Sequence, residues 1–271
     1  MSTAVVITVA GRDQHLRRTL AGLAEQRVAP SQIVVVDMAD ASAVLADAPS
    51  QVQHVPLRVE GVVLPLARAR NLGARSANAD RLVFLDVDCI AHHDLVADYE
   101  RALDLHPDGL ACGAVRYLAP RWEDEAEGVL DELSAPHPAR VALPPGTTRR
   151  DPDGHELFWS LNFAVTTSVW SVLGGFDESY EGYGAEDTDL AYRARAAGIP
   201  IVWLGGATAY HQWHPPTRLR PERVAEIVSN AQRFQRRWGI WPMRGWLAEL
   251  EAEGLVRFDP SRRDSQALSL R

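Results

Sequence analysis

Three short stretches of this sequence concentrate side chains that can hold a cation or move a proton. The first is Asp86-Val87-Asp88, directly after the apolar run Leu82-Val83-Phe84-Leu85. Alternate side chains of an extended strand point to one face, so carboxylates two apart can converge on one point. A hard cation such as Mg2+ or Mn2+ takes oxygen ligands and bridges to substrate phosphates. Read alone, the triplet also describes a solvated acidic turn closing a strand, the commoner meaning of so short a motif. The second stretch is Gly182-Tyr183-Gly184-Ala185-Glu186-Asp187-Thr188-Asp189. Its carboxylates fall in the first turn of an expected helix, where the macrodipole alone favours them by ~0.3–1 kcal/mol. The dipole does not explain the glycines, which let backbone approach a ligand closely. A carboxylate at that place can take the proton of an attacking hydroxyl. The third is Tyr210-His211-Gln212-Trp213-His214-Pro215-Pro216. One loop histidine is ordinarily a surface residue, but two of them beside a tryptophan offer imidazole nitrogens to a metal.

These residues need a frame, and the hydrophobic pattern supplies one. Ala4 to Val9 reads as a strand, Asp13 as the N-cap of a helix carrying Leu16, Leu20 and Leu23 on one face, and Ile33 to Val36 as a buried strand ending at Asp37. Helical character over Leu66 to Ser76 precedes a strand at Leu82 to Leu85. The alternation predicts βαβ units and a largely parallel sheet, whose ligands bind beyond the carboxyl ends of the strands. Asp37 and Asp86 stand at such ends. Further on, the pattern predicts a helix over Asp94 to Leu105, strands at Leu110 to Val115, Leu157 to Val165 and Ile199 to Leu204, and helices over Glu186 to Ala197 and Arg223 to Trp238. Ala119 to Gly154 holds Glu123-Asp124-Glu125 and several prolines and reads as a long loop of the kind used as a lid. The tail after Arg262 is polar and is expected to fray.

Bulk properties narrow the function. With 271 residues, 46% apolar and 24% charged, the chain has the make-up of a soluble globular protein. A net charge of −8 argues against a nucleic-acid partner. Cys89 and Cys112 make neither a disulfide framework nor a zinc motif and read as buried thiols in a reducing cytoplasm. No signal peptide is evident at Met1 to Ile7, and no run reaches the ~20 apolar residues of a membrane span. The expected location is therefore cytoplasmic. The segment Arg236 to Trp246 mixes tryptophan with arginine. It is read first as a packed helix end, and second as a peripheral membrane or subunit contact.

Taken together and in this order, the motifs resemble the nucleotide-sugar glycosyltransferases of the GT-A fold. The likeness is to the family-2 type, with a second half like the galactosyltransferases and chondroitin polymerases. It covers about Val5 to Pro216. The resemblance implies an α/β fold with a mostly parallel central sheet flanked by helices, a catalytic domain over 1–216 with a variable acceptor loop at about 119–154, and a helical extension over 217–271 packed on it. It implies a metal-dependent hexosyltransferase that moves a sugar from a nucleotide-diphosphate sugar to an acceptor hydroxyl, on a glycan or small molecule, with inversion. Asp37 matches the base-reading aspartate, and Ala69-Arg70-Asn71-Leu72-Gly73 the segment lining the nucleotide pocket. Asp86 and Asp88 match the Asp-x-Asp motif that holds Mn2+ or Mg2+ and the donor. Asp187 falls on the catalytic base and Glu186 on a neighbouring contact. His211, rather than His214, matches the histidine completing the metal shell. The sequence departs from the pattern at Thr8-Val9-Ala10-Gly11 and at Asp37-Met38-Ala39-Asp40, where base and ribose would lie. Trp122 and Trp159 are candidate sugar-stacking platforms. The alternatives are a non-catalytic nucleotide- or glycan-binding protein on the same fold, and a nucleotidyltransferase, for which Gly11-Arg12 is a faint basic loop.

Overall fold

The computed structural model describes residues 1–39, 43–46, 48–124, 130–140, 142–215, 218–262 and 264–271. Asp40, Glu125, Pro216 and the expected boundary at 216–217 lie outside the described residues. The chain begins with β1 (Thr3–Val9), α1 (Asp13–Ala24), β2 (Gln32–Asp37), α2 (Ala43–Ala46), β3 (Val52–Pro56), α3 (Leu66–Ser76) and β4 (Arg81–Leu85). It continues through β5 (Cys89–Ala91), α4 (Leu95–Leu105), β6 (Leu110–Cys112), β7 (Val115–Leu118), β8 (Ser134–Pro136), β9 (Thr148–Asp151) and β10 (Asn162–Thr166). The remainder is α5 (Thr167–Leu173), α6 (Glu186–Ala196), β11 (Ile201–Leu204), β12 (Ala209–His211), α7 (Pro221–Trp238), α8 (Arg244–Ala252), β13 (Val256–Phe258) and β14 (Leu268–Leu270).

Eight strands form the main sheet in the order β3-β2-β1-β4-β10-β6-β11-β9. β1 shows why the apolar runs become strands here. Its residues are all buried, and Val5, Ile7 and Val9 feed one core cluster while Ala4 and Val6 feed another. A strand covered on both faces reads as a continuous β-branched run. α3 lies tight on this sheet because Gly73 has no side chain; a Cβ there would stand 2.3 Å from Val6 Cγ1. β3, β2, β1 and β4 pair in parallel. The second half is mixed: β11 runs parallel to β6, while β10 runs antiparallel to both β4 and β6 and β9 antiparallel to β11, so the sheet is mostly parallel, as expected. The strand sequence reverses direction at β1 and β4, the place where an open α/β sheet leaves a crevice for ligands.

A second sheet, β5-β12-β7-β8, stands beside that crevice. The strand expected over Leu110 to Val115 is two strands in two sheets, β6 and β7, with Gly113 between them. A Cβ at Gly113 would meet Ala207 O at 2.3 Å, so the switch needs that glycine. Parts of the expected long loop are ordered as β8 and β9, one in each sheet. The tail does not fray as expected: β14 pairs with β13, Leu268 is fully buried, and its carbonyl accepts from Gln232 Nε2 on α7. Among the described residues no helix is long and apolar enough to cross a membrane.

Candidate active site

β4 ends at Leu85, and the chain turns at once. The Cys89 amide donates to Asp86 O, which folds Asp86 to Cys89 into a tight turn rather than a continued strand. The two aspartates therefore diverge where an extended strand would align them. Asp86 turns to Arg70 of α3, with Arg70 NH2 donating to Asp86 Oδ1 at 3.0 Å. Asp88 turns the other way, toward the second sheet. β5 starts directly after it, and β12 pairs antiparallel to β5 with His211 opposite Cys89. Gln212 N donates to Asp88 O at 2.7 Å and fixes that register beside the carboxylate. One pairing of short strands thus brings two distant motifs together.

The result is a cluster of one carboxylate and two imidazoles. His211 Nε2 lies 3.7 Å from Asp88 Oδ1 and His214 Nε2 lies 3.4 Å from Asp88 Oδ2. Ligand atoms of all three lie within 4.8 Å of one another. His214 Nδ1 is 3.0 Å from Pro215 O, a carbonyl that can only accept, so Nδ1 carries a proton and Nε2 is the nitrogen aimed at Asp88. Burial opposes the Asp88 charge, but the His214 hydrogen bond and the nearby His211 and Arg12 charges outweigh it and hold the carboxyl well below its usual range. The same hydrogen bond raises the His214 pKa. Two ring nitrogens and a carboxylate suit Mn2+ well, and Mg2+, which prefers oxygen, less well. The geometry brings both histidines to Asp88, while Asp86 is engaged by Arg70.

The acidic helix start faces the same space. Gly182 (φ 73°), Gly184 (φ 101°) and Ala185 (φ 70°) are all left-handed and carry the chain into α6. A Cβ on Gly182 would stand 2.4 Å from Glu226 Cδ of α7, and Glu226 Oε2 accepts from Tyr183 N at 2.9 Å. α7 therefore holds the loop from behind. Glu186 is 6% exposed and accepts from Arg70 NH1 at 3.1 Å through Oε1, while its Oε2 is buried without a hydrogen-bond partner among the described residues. Burial and the Asp187 charge, opposed by Arg70, push the Glu186 carboxyl up to about 7. Burial also raises Asp187, against hydrogen bonds from Thr188 N and Thr188 Oγ1. Asp189, the third carboxylate, is fully buried and structural. It takes Arg193 Nε at 2.8 Å and Trp238 Nε1 at 2.9 Å, tying α6 to α7.

Asp86, Asp88, Arg70, Glu186, Asp187, His211 and His214 all line one open cleft of about 1670 Å3. Trp159 lies on its wall, with Arg140 Cζ stacked 4.1 Å from the ring centroid. Three predicted residues stand outside it. Asp37 is 1% exposed, accepts from Ala39 N and faces His54 Nε2 at 3.4 Å, while the next residue, Met38, reaches the cleft. Asn71 turns away and clasps the Phe176 backbone at both N and O. Trp122 packs in a small cluster with Ile90, Leu118 and Tyr210, under Arg18. The tryptophans of the Arg236–Trp246 segment are engaged internally. Trp238 donates to Asp189, Trp241 donates to Arg262 O, and Trp246 stacks on Tyr183 at 5.5 Å. The motif reading gave Arg12 no place in the metal site, yet it lies on Asp88; a basic residue in the turn just after the first strand was its only signal.

A crevice at the sheet reversal, with a carboxylate–imidazole cluster on one wall and an acidic helix start on the other, is set in a fold of the GT-A type. Residues 4–128 match Glycosyl transferase family 2, and residues 152–214 match the N-terminal domain of galactosyltransferase. The first half is thus similar to the family-2 glycosyltransferases and the second half to the galactosyltransferases. It is 30% identical to validoxylamine A glucosyltransferase of Streptomyces hygroscopicus subsp. limoneus over 94% of this chain and 62% of that protein. It is 24% identical to chondroitin synthase of Pasteurella multocida (strain Pm70), over 82% of this chain and 26% of that one. The fold matches the crystal structure of GalNAc-T7 with UDP, GalNAc and Mn2+ at a TM-score of 0.59 and 16% identity, over 93% of this chain and 57% of that one. The chain thus spans less than two thirds of the first of these relatives.

Proposed function

We propose that this protein transfers a sugar from a nucleotide-diphosphate sugar to an acceptor hydroxyl, with inversion, using Asp187 as general base and a divalent cation held by Asp88, His211 and His214. The observation that carries the reading is the opening of both the carboxylate–imidazole cluster and Asp187 onto one cleft. A divalent cation held by Asp88, His211 and His214 would supply positive charge to stabilise the leaving diphosphate. Asp187 accepts the proton of the acceptor hydroxyl while that oxygen attacks the anomeric carbon; the bond to the diphosphate breaks and its electron pair leaves with the phosphate. Glu186 offers Oε2, which has no hydrogen-bond partner among the described residues, to a sugar hydroxyl. Arg70 works through others. Held at 5% exposure between Asp86 and Glu186, it fixes the end of β4 against the start of α6. Asp86 keeps a donor-side role, through its exposed edge on the cleft, and Trp159 offers a ring face to the acceptor.

Asp187→Asn tests the chemistry. It keeps size and hydrogen bonding but cannot take a proton, so donor binding by calorimetry stays near wild type while turnover falls roughly 10²–10⁴-fold, the usual worth of a general base. Near-normal sugar transfer by Asp187→Asn would remove Asp187 from the role.

A further inference from the structure

Arg12 stands at the cation cluster. It lies three residues past the end of β1, in a left-handed turn (φ 60°, ψ 39°) after the left-handed Gly11. Its carbonyl accepts from Leu16 N as α1 begins, so its backbone is fixed by the helix start. The side chain crosses to Asp88, with NH1 donating to Oδ2 at 2.5 Å. That is also the oxygen nearest His214 Nε2. The guanidinium is a cation resting on the carboxylate that the metal reading requires, and it is one third exposed on the cleft beside Thr8 and Ala10.

We propose that Arg12 is a built-in competitor for the divalent cation that becomes a donor-binding residue. It neutralises Asp88 while the cleft is empty, yields that oxygen when the metal enters, and turns to the diphosphate of the nucleotide sugar. The proposal rests on the cation reading of Asp88, His211 and His214. The physics is charge balance. A guanidinium and a dication cannot share one carboxylate oxygen at close range without strong repulsion. A diphosphate brings negative charge that both can share, and a planar guanidinium suits phosphate oxygens. Metal alone therefore meets resistance from Arg12, whereas metal and donor together do not. The two ligands become positively coupled, and linkage makes that coupling reciprocal. The enzyme would then hold its cation firmly only in company with the donor.

The test is calorimetric titration of Mn2+ into the full chain at low ionic strength without nucleotide, comparing wild type with Arg12→Asn and Arg12→Lys. Asparagine tolerates the left-handed backbone at this position, so the fold is retained. Arg12→Asn should bind Mn2+ alone at least about five-fold more tightly than wild type, at the low end of typical coupling. Arg12→Lys, which keeps the charge, should stay near wild type; a merely structural role for Arg12 would not produce that rescue. Inorganic pyrophosphate, titrated at saturating Mn2+, then stands in for the donor diphosphate and should bind Arg12→Asn more weakly than wild type. Equal or weaker Mn2+ affinity in Arg12→Asn, or unchanged pyrophosphate affinity, overturns the proposal while leaving the cation site standing. Absence of Mn2+ binding in all three proteins would instead take down the cation reading, and this proposal with it.

Discussion

Glu186 sits between opposing fields, and its titration shows which one governs. Arg70 on Oε1 favours the carboxylate, but burial and the Asp187 charge favour the acid and carry its pKa from 4.5 to about 7. The folded protein therefore binds a proton here between those values that the unfolded chain does not. This contribution to stability is full below pH 4.5, declines as the pH rises, and is gone above about 7. Its ceiling is on the order of 3 kcal/mol. Glu186→Gln keeps a group that hydrogen-bonds Arg70 but abolishes the titration. Denaturant unfolding from pH 4.5 to 8 should show a shallower fall in stability for Glu186→Gln than for wild type; parallel curves would refute the raised pKa.

At the scale of elements, much of the frame was legible in the sequence and the joinery was not. The β1, β2 and β4 runs are apolar and β-branched, and the Leu66 to Ser76 helix has the bounds its pattern predicts. The strands that build the metal cluster carry no such signal. β5 and β12 are three residues each, and β5 begins in the turn that separates Asp86 from Asp88. Three residues give too short a window for periodicity, so the pairing of His211 with Cys89 is visible only in three dimensions. The i, i+2 argument for Asp86 and Asp88 assumed a strand where the backbone turns, which explains why Asp86 meets Arg70 and His214 meets Asp88. Both histidines should then matter. His211→Ala and His214→Ala should each weaken Mn2+ binding by calorimetry, roughly 10-fold or more, and an effect confined to one of them would exclude the other as a ligand. The acidic helix start hid a second job. Asp189 has the composition of a site residue but joins α6 to α7 through Arg193, Arg237 and Trp238. Asp189→Ala leaves two guanidinium groups short of a partner and should cost on the order of 3 kcal/mol, lowering Tm by roughly 10 °C. A Tm within a degree or two of wild type would show that α7 is held by other contacts.

Over the whole molecule, the cleft collects residues from nearly every part of the chain: Thr8 near the end of β1, Arg70 on α3, Asp88 after β4, Trp159 before β10, Asp187 on α6, His214 after β12 and Met243 before α8. No single supersecondary unit owns the site, so a ligand bound there draws on the integrity of both sheets and of α7, which braces the Gly182–Gly184 loop through Glu226. Binding should accordingly protect the entire fold rather than one segment of it. A thermal-shift matrix of UDP, GDP, ADP and TDP, each with and without Mn2+, turns this into a measurement. A ligand held at about 100 times its Kd stabilises by about 2.7 kcal/mol, which for a chain of this size raises Tm by roughly 5–10 °C. One nucleotide should stand out, and only with the cation present, because cluster and diphosphate satisfy each other's charge. Mn2+ alone should give a small shift, and the shift with both should exceed the two separate shifts added together. A nucleotide that stabilises equally well in EDTA would show that the donor sits in the cleft without the cation, and would leave Asp88, His211 and His214 as a polar network of the fold.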